Sequence, residues 1–158
     1  MNRIPMTPEG FSKLKEELRQ LKTVERAKNI HDIEEARAHG DLSENAEYHA
    51  AKEKQGIIAA QIIDLEDKVS RAEVIDPKTV QANDKVVFGA TVKLYDLSTE
   101  EEMTYKIVGD SESDIKQAKI GISSPLARGL LGRRSGDEVK INTPKGVREF
   151  EVVSINYV

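Results

Sequence analysis

The segment Arg37-Ala38-His39-Gly40-Asp41-Leu42-Ser43-Glu44-Asn45-Ala46-Glu47-Tyr48-His49 joins two long stretches of helical character. A helix-to-helix turn needs only turn formers, yet this one carries Asp41 and Glu44 within a few residues of each other. On that spacing both carboxylates face solvent and lie close together at the end of a helical pair. Oxygen donors so placed suit Mg²⁺, a hard cation that takes an octahedral oxygen shell and usually shares it with water and phosphate. Two carboxylates alone hold it weakly, so a bare acidic turn makes chemical sense where another macromolecule completes the shell. The same residues also meet a structural need. Asp41 to Glu44 matches a capping box, with Asp41 as N-cap and Glu44 at N3. Ser43 is an alternative N-cap, leaving Glu44 in the first turn, where the helix dipole favours an acid. Capping and cation donation are compatible.

Other groups flank the turn. His39, Asp41 and His49 raise the option of zinc, but their spacing fits no standard finger and supplies no third nitrogen or sulfur ligand. Arg37 and Lys52 lie at comparable distances from the turn on opposite helices. They form either a small basic patch suited to RNA phosphates or simple counter-charges for Glu34, Glu35 and Glu53. Tyr48 either packs against the turn or offers its ring to a base. His31, mid-helix, reads as an ordinary solvated residue.

The elements that must position these groups follow from periodicity. Thr7-Pro8 opens a helix, with Thr7 as N-cap and Pro8 at the first helical position. Phe11, Leu14, Leu18 and Leu21 follow at helical steps, continued less cleanly by Val24, Ala27, Ile30 and Ile33. An unbroken helix from Thr7 to Ala38 would be roughly 45 Å long. Gly40 is a natural helix-ending residue. A second helix is predicted from about Ser43 to Ala72. Its stripe reads Ala46, Ala50, Glu53 and Ile57, then Ile58, Ile62, Leu65, Val69 and Ala72 at coiled-coil spacing. Neither stripe can be buried alone, so the two helices are expected to pack antiparallel as a rod with the turn at its far end.

Beyond Val74-Ile75-Asp76-Pro77 the period changes to two. Lys85 to Leu97, Met103 to Val108, Val139 to Thr143 and Val147 to Tyr157 read as strands. Ser124-Pro125 opens a short helix, Leu126 to Leu131, stopped by Gly132, and Thr143-Pro144-Lys145-Gly146 reads as a hairpin turn. The predicted class is α+β with two domains: a helical hairpin over 1–76, a linker over 77–84 and a mainly antiparallel sheet domain over 85–158.

Composition narrows the function. Of the 158 residues, 33% are charged and only 4% aromatic, which suits a long solvated helical element. The net charge is −4, and all of the acidic excess lies in residues 1–76. An acidic chain is a poor candidate for stable binding to duplex DNA on its own. Cysteine is absent, so there is no thiolate metal site or cysteine nucleophile. The apolar runs are short, as in Gly56 to Ala60, and the N-terminus lacks the layout of a signal peptide. A soluble, cytoplasmic protein without a membrane partner is expected.

The string from Glu35 to Gln55, with Ile4-Pro5-Met6-Thr7 before it, strongly resembles the tip and N-terminus of the GreA family of bacterial transcript-cleavage factors. Val87 to Val92, Ile107 to Asp110, Ser123 to Gly132 and Gly136-Asp137 resemble the family's C-terminal signatures, so the likeness runs through the whole chain in order. The resemblance implies a coiled-coil hairpin followed by a C-terminal domain of the FKBP-like type. It implies a partner, bacterial RNA polymerase, with the C-terminal domain docked at its rim and the hairpin in its secondary channel. The tip acids, here Asp41 and Glu44, then help bind a catalytic Mg²⁺ shared with the polymerase and orient the water that cuts backtracked RNA. The resemblance further implies that the isolated protein carries no cofactor of its own and is not itself a nuclease.

The family's RNA-contacting basic patch maps to Arg37 and Lys52, where lysine replaces the more usual arginine and lacks its planar fork. The mixed charge of Tyr48 to Gln55 favours the GreA type over the GreB type. Ser124, Pro125 and Arg128 are the candidates for polymerase docking. Ser124-Pro125 is equally a good helix start, and Arg128 stands opposite the leucine face. Two other readings remain: a prolyl isomerase, because of the FKBP-like resemblance, and a non-catalytic binder or inhibitor of the polymerase channel with the same architecture.

Overall fold

The computed structural model describes residues 2–41, 45–81 and 84–158. These fall into two compact units, one formed by residues 11–71 and the other by 2–10 together with 72–158.

The first unit is a helical hairpin. Helix α1 (Pro8–Gln20) runs through a π-helical turn (Leu21–Glu25) into α2 (Arg26–Ala38), and after the turn α3 (Ala46–Arg71) packs back against α2. The pairing is antiparallel: Lys22 meets Glu66 at 2.8 Å, and further along Asn29 reaches the Ala51 carbonyl. The long first helix is therefore present, but interrupted. A π turn accommodates one extra residue, and the consequence is visible in the buried stripe. Up to Leu21 the stripe is the expected one, through Phe11, Leu14 and Leu18. Past the π turn it passes through Glu25, Asn29, Ile33 and Ala36, while Val24 and Ile30, expected to be inward, are exposed. In α3 the lower stripe of Ile58, Ile62, Leu65 and Val69 faces inward as expected. Its upper continuation is Tyr48, Ala51 and Gln55; Ala46, Ala50, Glu53 and Ile57 face solvent. The reason is heptad continuity: steps of three and four carried back from Ile58 land on Gln55, Ala51 and Tyr48.

The second unit is built on a five-stranded sheet of order β5-β4-β3-β7-β6, from β3 (Thr91–Asp96), β4 (Glu102–Val108), β5 (Lys119–Gly121), β6 (Glu138–Thr143) and β7 (Gly146–Asn156). Its pairings are antiparallel except for β4 with β5. Strand β3 is shorter than the expected Lys85 to Leu97; residues 85–90 form turns and a single bridge to Arg134 instead. The turn before β7 pairs Thr143 with Gly146 as expected. Alternate residues Val92, Leu94, Ile107, Val139, Ile141, Phe150 and Val152 form one apolar core with Ala127 and Leu130 of helix α4 (Pro125–Leu130). Gly129 lets α4 lie close to the sheet, since a Cβ there would stand 2.8 Å from Ile141 Cγ1.

The N-terminal residues join this unit. Strand β1 (Ile4–Met6) pairs in parallel with β2 (Ala72–Val74), a long-range pairing that no local periodicity signals. The Glu112 carboxylate accepts from the Thr7 amide at 3.0 Å, from the Gly109 amide at 3.0 Å and from the Thr7 hydroxyl. Thr7 caps α1 as expected, its hydroxyl accepting from the Gly10 amide at 3.1 Å. Glycine at position 10 makes room for that carboxylate, because a Cβ there would overlap Glu112 Cδ at 2.1 Å.

Candidate functional site

The turn between α2 and α3 is closed by backbone first. His39 and Gly40 amides donate to the Ala36 and Arg37 carbonyls, each at 3.2 Å, ending α2. Gly40 then takes φ +109°, a conformation that favours glycine. This matches the sequence expectation. Asp41 follows, exposed to solvent, at the start of the acidic segment. Glu44 and the alternative cap Ser43 lie outside the described residues.

The cap of α3 is not Asp41. That residue lies five positions before Ala46, the first helical residue, too far for a side chain to cap the first turn. Asn45 takes the role. Its Oδ1 accepts from the Tyr48 amide at 3.0 Å, and its Nδ2 donates to the Ala36 carbonyl of α2 at 2.6 Å. One side chain thus starts α3 and ties it to the end of α2. Asparagine immediately before a helical run is a preferred N-cap, a local signal that competes with the capping-box pattern of Asp41 to Glu44.

An exposed carboxylate on a turn fixed at both ends is a fitting oxygen donor for Mg²⁺. Among the described residues no three His, Asp or Glu side chains converge as a metal site of the chain's own would require.

Arg37, in the last turn of α2, and Lys52, in α3, are both exposed. Lys52 donates to Gln55 at 2.8 Å, one turn along its own helix. Tyr48 is half-buried on the inward stripe, its ring edge-on to His49 with centroids 5.7 Å apart. His31 is exposed and lies 3.1 Å from Glu35, in keeping with a solvated residue.

The docking candidates sit in the second unit. Ser124 caps α4, accepting from the Ala127 amide at 3.2 Å, and Pro125 occupies the first turn. Pro125 and Arg128 are exposed, on the side of α4 away from Ala127 and Leu130. Ser124 also borders a cleft of about 380 Å³ with Asp110, Ile115, Lys119 and Gly121. Asp110 accepts from the Ser123 amide at 2.9 Å, fixing the loop that presents Ser124. Two aromatic residues of this unit are held in place: Phe150 lies in the core, and the Tyr157 hydroxyl accepts from the Val87 amide at 3.1 Å while donating to the Lys85 carbonyl. Burial raises the Tyr157 pKa above its usual value, opposed by the Val87 amide.

Residues 4–74 match the family model described as transcription elongation factor, N-terminal, and residues 81–157 match that of transcription elongation factor, GreA/GreB, C-term. The transcription elongation factor GreA of Acinetobacter baumannii (strain SDF) is 56% identical over 158 residues, covering 100% of both chains. That of Neisseria meningitidis serogroup A is 52% identical over 158 residues, again covering 100% of both. The crystal structure of the GreA factor homolog 1 protein of Thermus thermophilus is 29% identical, covers 98% of this chain and 99% of its own, and has a TM-score of 0.45.

Proposed function

The chain belongs to the GreA/GreB family of transcription elongation factors, and from that premise we propose that it binds bacterial RNA polymerase in the cytoplasm and stimulates cleavage of the 3′ end of backtracked nascent RNA. The observation that carries this reading is Asp41, exposed beside Gly40 on a turn that Asn45 ties to Ala36. A solvent-exposed carboxylate held so offers oxygen donors of the kind that another molecule's Mg²⁺ site takes.

The division of labour follows the chemistry. The hairpin, residues 1–76, enters the polymerase's secondary channel, and the domain over 85–158 docks at the rim through Ser124, Pro125 and Arg128. Asp41 and Glu44 present carboxylate oxygens toward a Mg²⁺ that the polymerase also holds. When bound, that ion supplies activation of water and stabilisation of developing charge at the phosphodiester. Asp41 and Glu44 accept hydrogen bonds from the attacking water and orient it. Arg37 and Lys52 hold the RNA backbone by charge; the ammonium of Lys52 does so as a point charge, without a bidentate grip. The factor contributes ligands and positioning, while the polymerase contributes the RNA and most of the site. It therefore cuts no RNA alone.

The experiment is a cleavage assay on a stalled, backtracked polymerase with Mg²⁺, comparing the unaltered protein with Asp41→Ala. Stimulation by the first, and stimulation weaker on the order of 100-fold by the second, is expected. Binding without any stimulation by the unaltered protein would make it a channel blocker instead.

A further inference from the structure

The seam of the hairpin contains a residue that stability alone does not explain. Asn29 is 1% exposed, on the inward stripe of α2. Its Nδ2 donates to the Ala51 carbonyl of α3 at 2.9 Å, and its Oδ1 has no hydrogen-bond partner among the described residues. The carbonyl opposite can only accept, so the amide nitrogen must face it and the oxygen is left without a partner. A buried acceptor without a donor is a net cost, and an apolar side chain would avoid it. Polar residues kept in helical seams at such a cost are best attested as devices that fix register.

The choice of partner supports that role. Along the buried stripe of α3 the residues are Tyr48, Ala51, Gln55, Ile58, Ile62, Leu65 and Val69. Ala51 is the one small residue among them, so there the amide can reach the backbone. Slip by a turn in either direction would set Asn29 against the larger residues Tyr48 or Gln55 in place of Ala51. The π turn at 21–25 is what rotates Asn29 inward, because it shifts the stripe by one residue. Near the turn the arrangement recurs in reverse, with Asn45 donating to the carbonyl of another buried alanine, Ala36.

We propose that Asn29 is a positioning residue whose amide on the Ala51 carbonyl fixes the longitudinal register of the hairpin helices, and thereby the place to which the turn bearing Asp41 is delivered. The second half rests on the proposed function. Transition-state geometry is sensitive to shifts on the order of 1 Å, so a hairpin that samples two registers would bind polymerase normally and serve its active site poorly.

The test uses Asn29→Leu and Asn29→Ala in the full chain. Three quantities are read: melting temperature, the half-saturating concentration and saturating rate of stimulated cleavage, and the distance distribution between spin labels at Arg26→Cys and Glu53→Cys. The chain has no cysteine of its own, so labels attach only there. Expected are an undiminished melting temperature, an unchanged half-saturating concentration, a saturating rate lowered about tenfold, and distances that broaden or shift. Loss of rate without a change in distance, or a change in distance without loss of rate, overturns the proposal. So does a collapse of the melting temperature in both variants, since Asn29 would then hold the hairpin together rather than choose its register. Absence of stimulation by the unaltered protein overturns the functional reading and the delivery claim together; distances that still broaden in the variants would separate that failure from one of register.

Discussion

Asn45 donates its side-chain amide to the Ala36 carbonyl across the turn, at 2.6 Å, while its other side-chain atom starts the next helix at the Tyr48 amide. One side chain thus closes a loop between residues nine positions apart, and the acidic segment lies inside it. Replacing a helix cap by alanine costs about 1 kcal/mol. Asn45→Ala is therefore expected to lower the melting temperature only slightly, but to abolish hydrogen-exchange protection of the Tyr48 amide and reduce stimulated cleavage. Wild-type protection at Tyr48 would show that something else closes the turn.

Asp41 is exposed and lies outside both α2 and α3, so its removal should leave the two helices in place. Asp41→Asn and Asp41→Ala are expected to melt with the unaltered protein and to compete for polymerase equally well. Stimulated cleavage should fall on the order of 100-fold, as for loss of a group that stabilises transition-state charge. Raised Mg²⁺ should restore part of the asparagine variant's activity, because mass action offsets a weakened site. Normal cleavage by both variants would remove Asp41 from the site.

Arg128 stands on α4 away from the core residues Ala127 and Leu130. Arg128→Glu reverses a surface charge without touching that core. The half-saturating concentration in a polymerase competition assay should rise roughly tenfold, as for reversal of a charge at an interface, with circular dichroism unchanged. Full retained affinity would place docking elsewhere on the domain.

Glu112 serves three donors, two of them on Thr7, which is 2% exposed. Removing the carboxylate strands those groups, and each buried unsatisfied donor costs about 1–3 kcal/mol. Glu112→Ala should lower the melting temperature by several degrees, more than Glu112→Gln, which keeps an accepting oxygen. Equal melting of all three proteins would show the contact to be idle.

Asp96 is fully buried at the end of β3. Burial alone pushes its carboxyl up, but Arg148 and the Ser98 and Thr99 amides outweigh that and hold it below the usual carboxylate value. A carboxyl lowered by folding contributes stability that is present above its unfolded value and lost as pH falls through its folded one. The melting-temperature gap between the unaltered protein and Asp96→Asn should be widest near neutral pH and close on acidification. A gap independent of pH would mean that the charge plays no part.

Much of the protein is legible along the chain because helices, caps and turns are decided by neighbours within a turn or two. Thr7-Pro8, Gly40, Ser124-Pro125 and Thr143 to Gly146 each ended or began an element where local chemistry required. The alternation in β3 and β7 gave the sheet face in the same way, and the acidic turn was visible as composition at a bend. What the tertiary structure decided is where distant residues meet. Strand β1 finds β2, and Glu112 finds Thr7, 105 positions away. Asn29 became an inward residue only through a π turn, which rotates everything beyond it while leaving the local pattern helical. Periodicity reports one element's faces, but which face is buried, and against which carbonyl, is fixed by the partner helix.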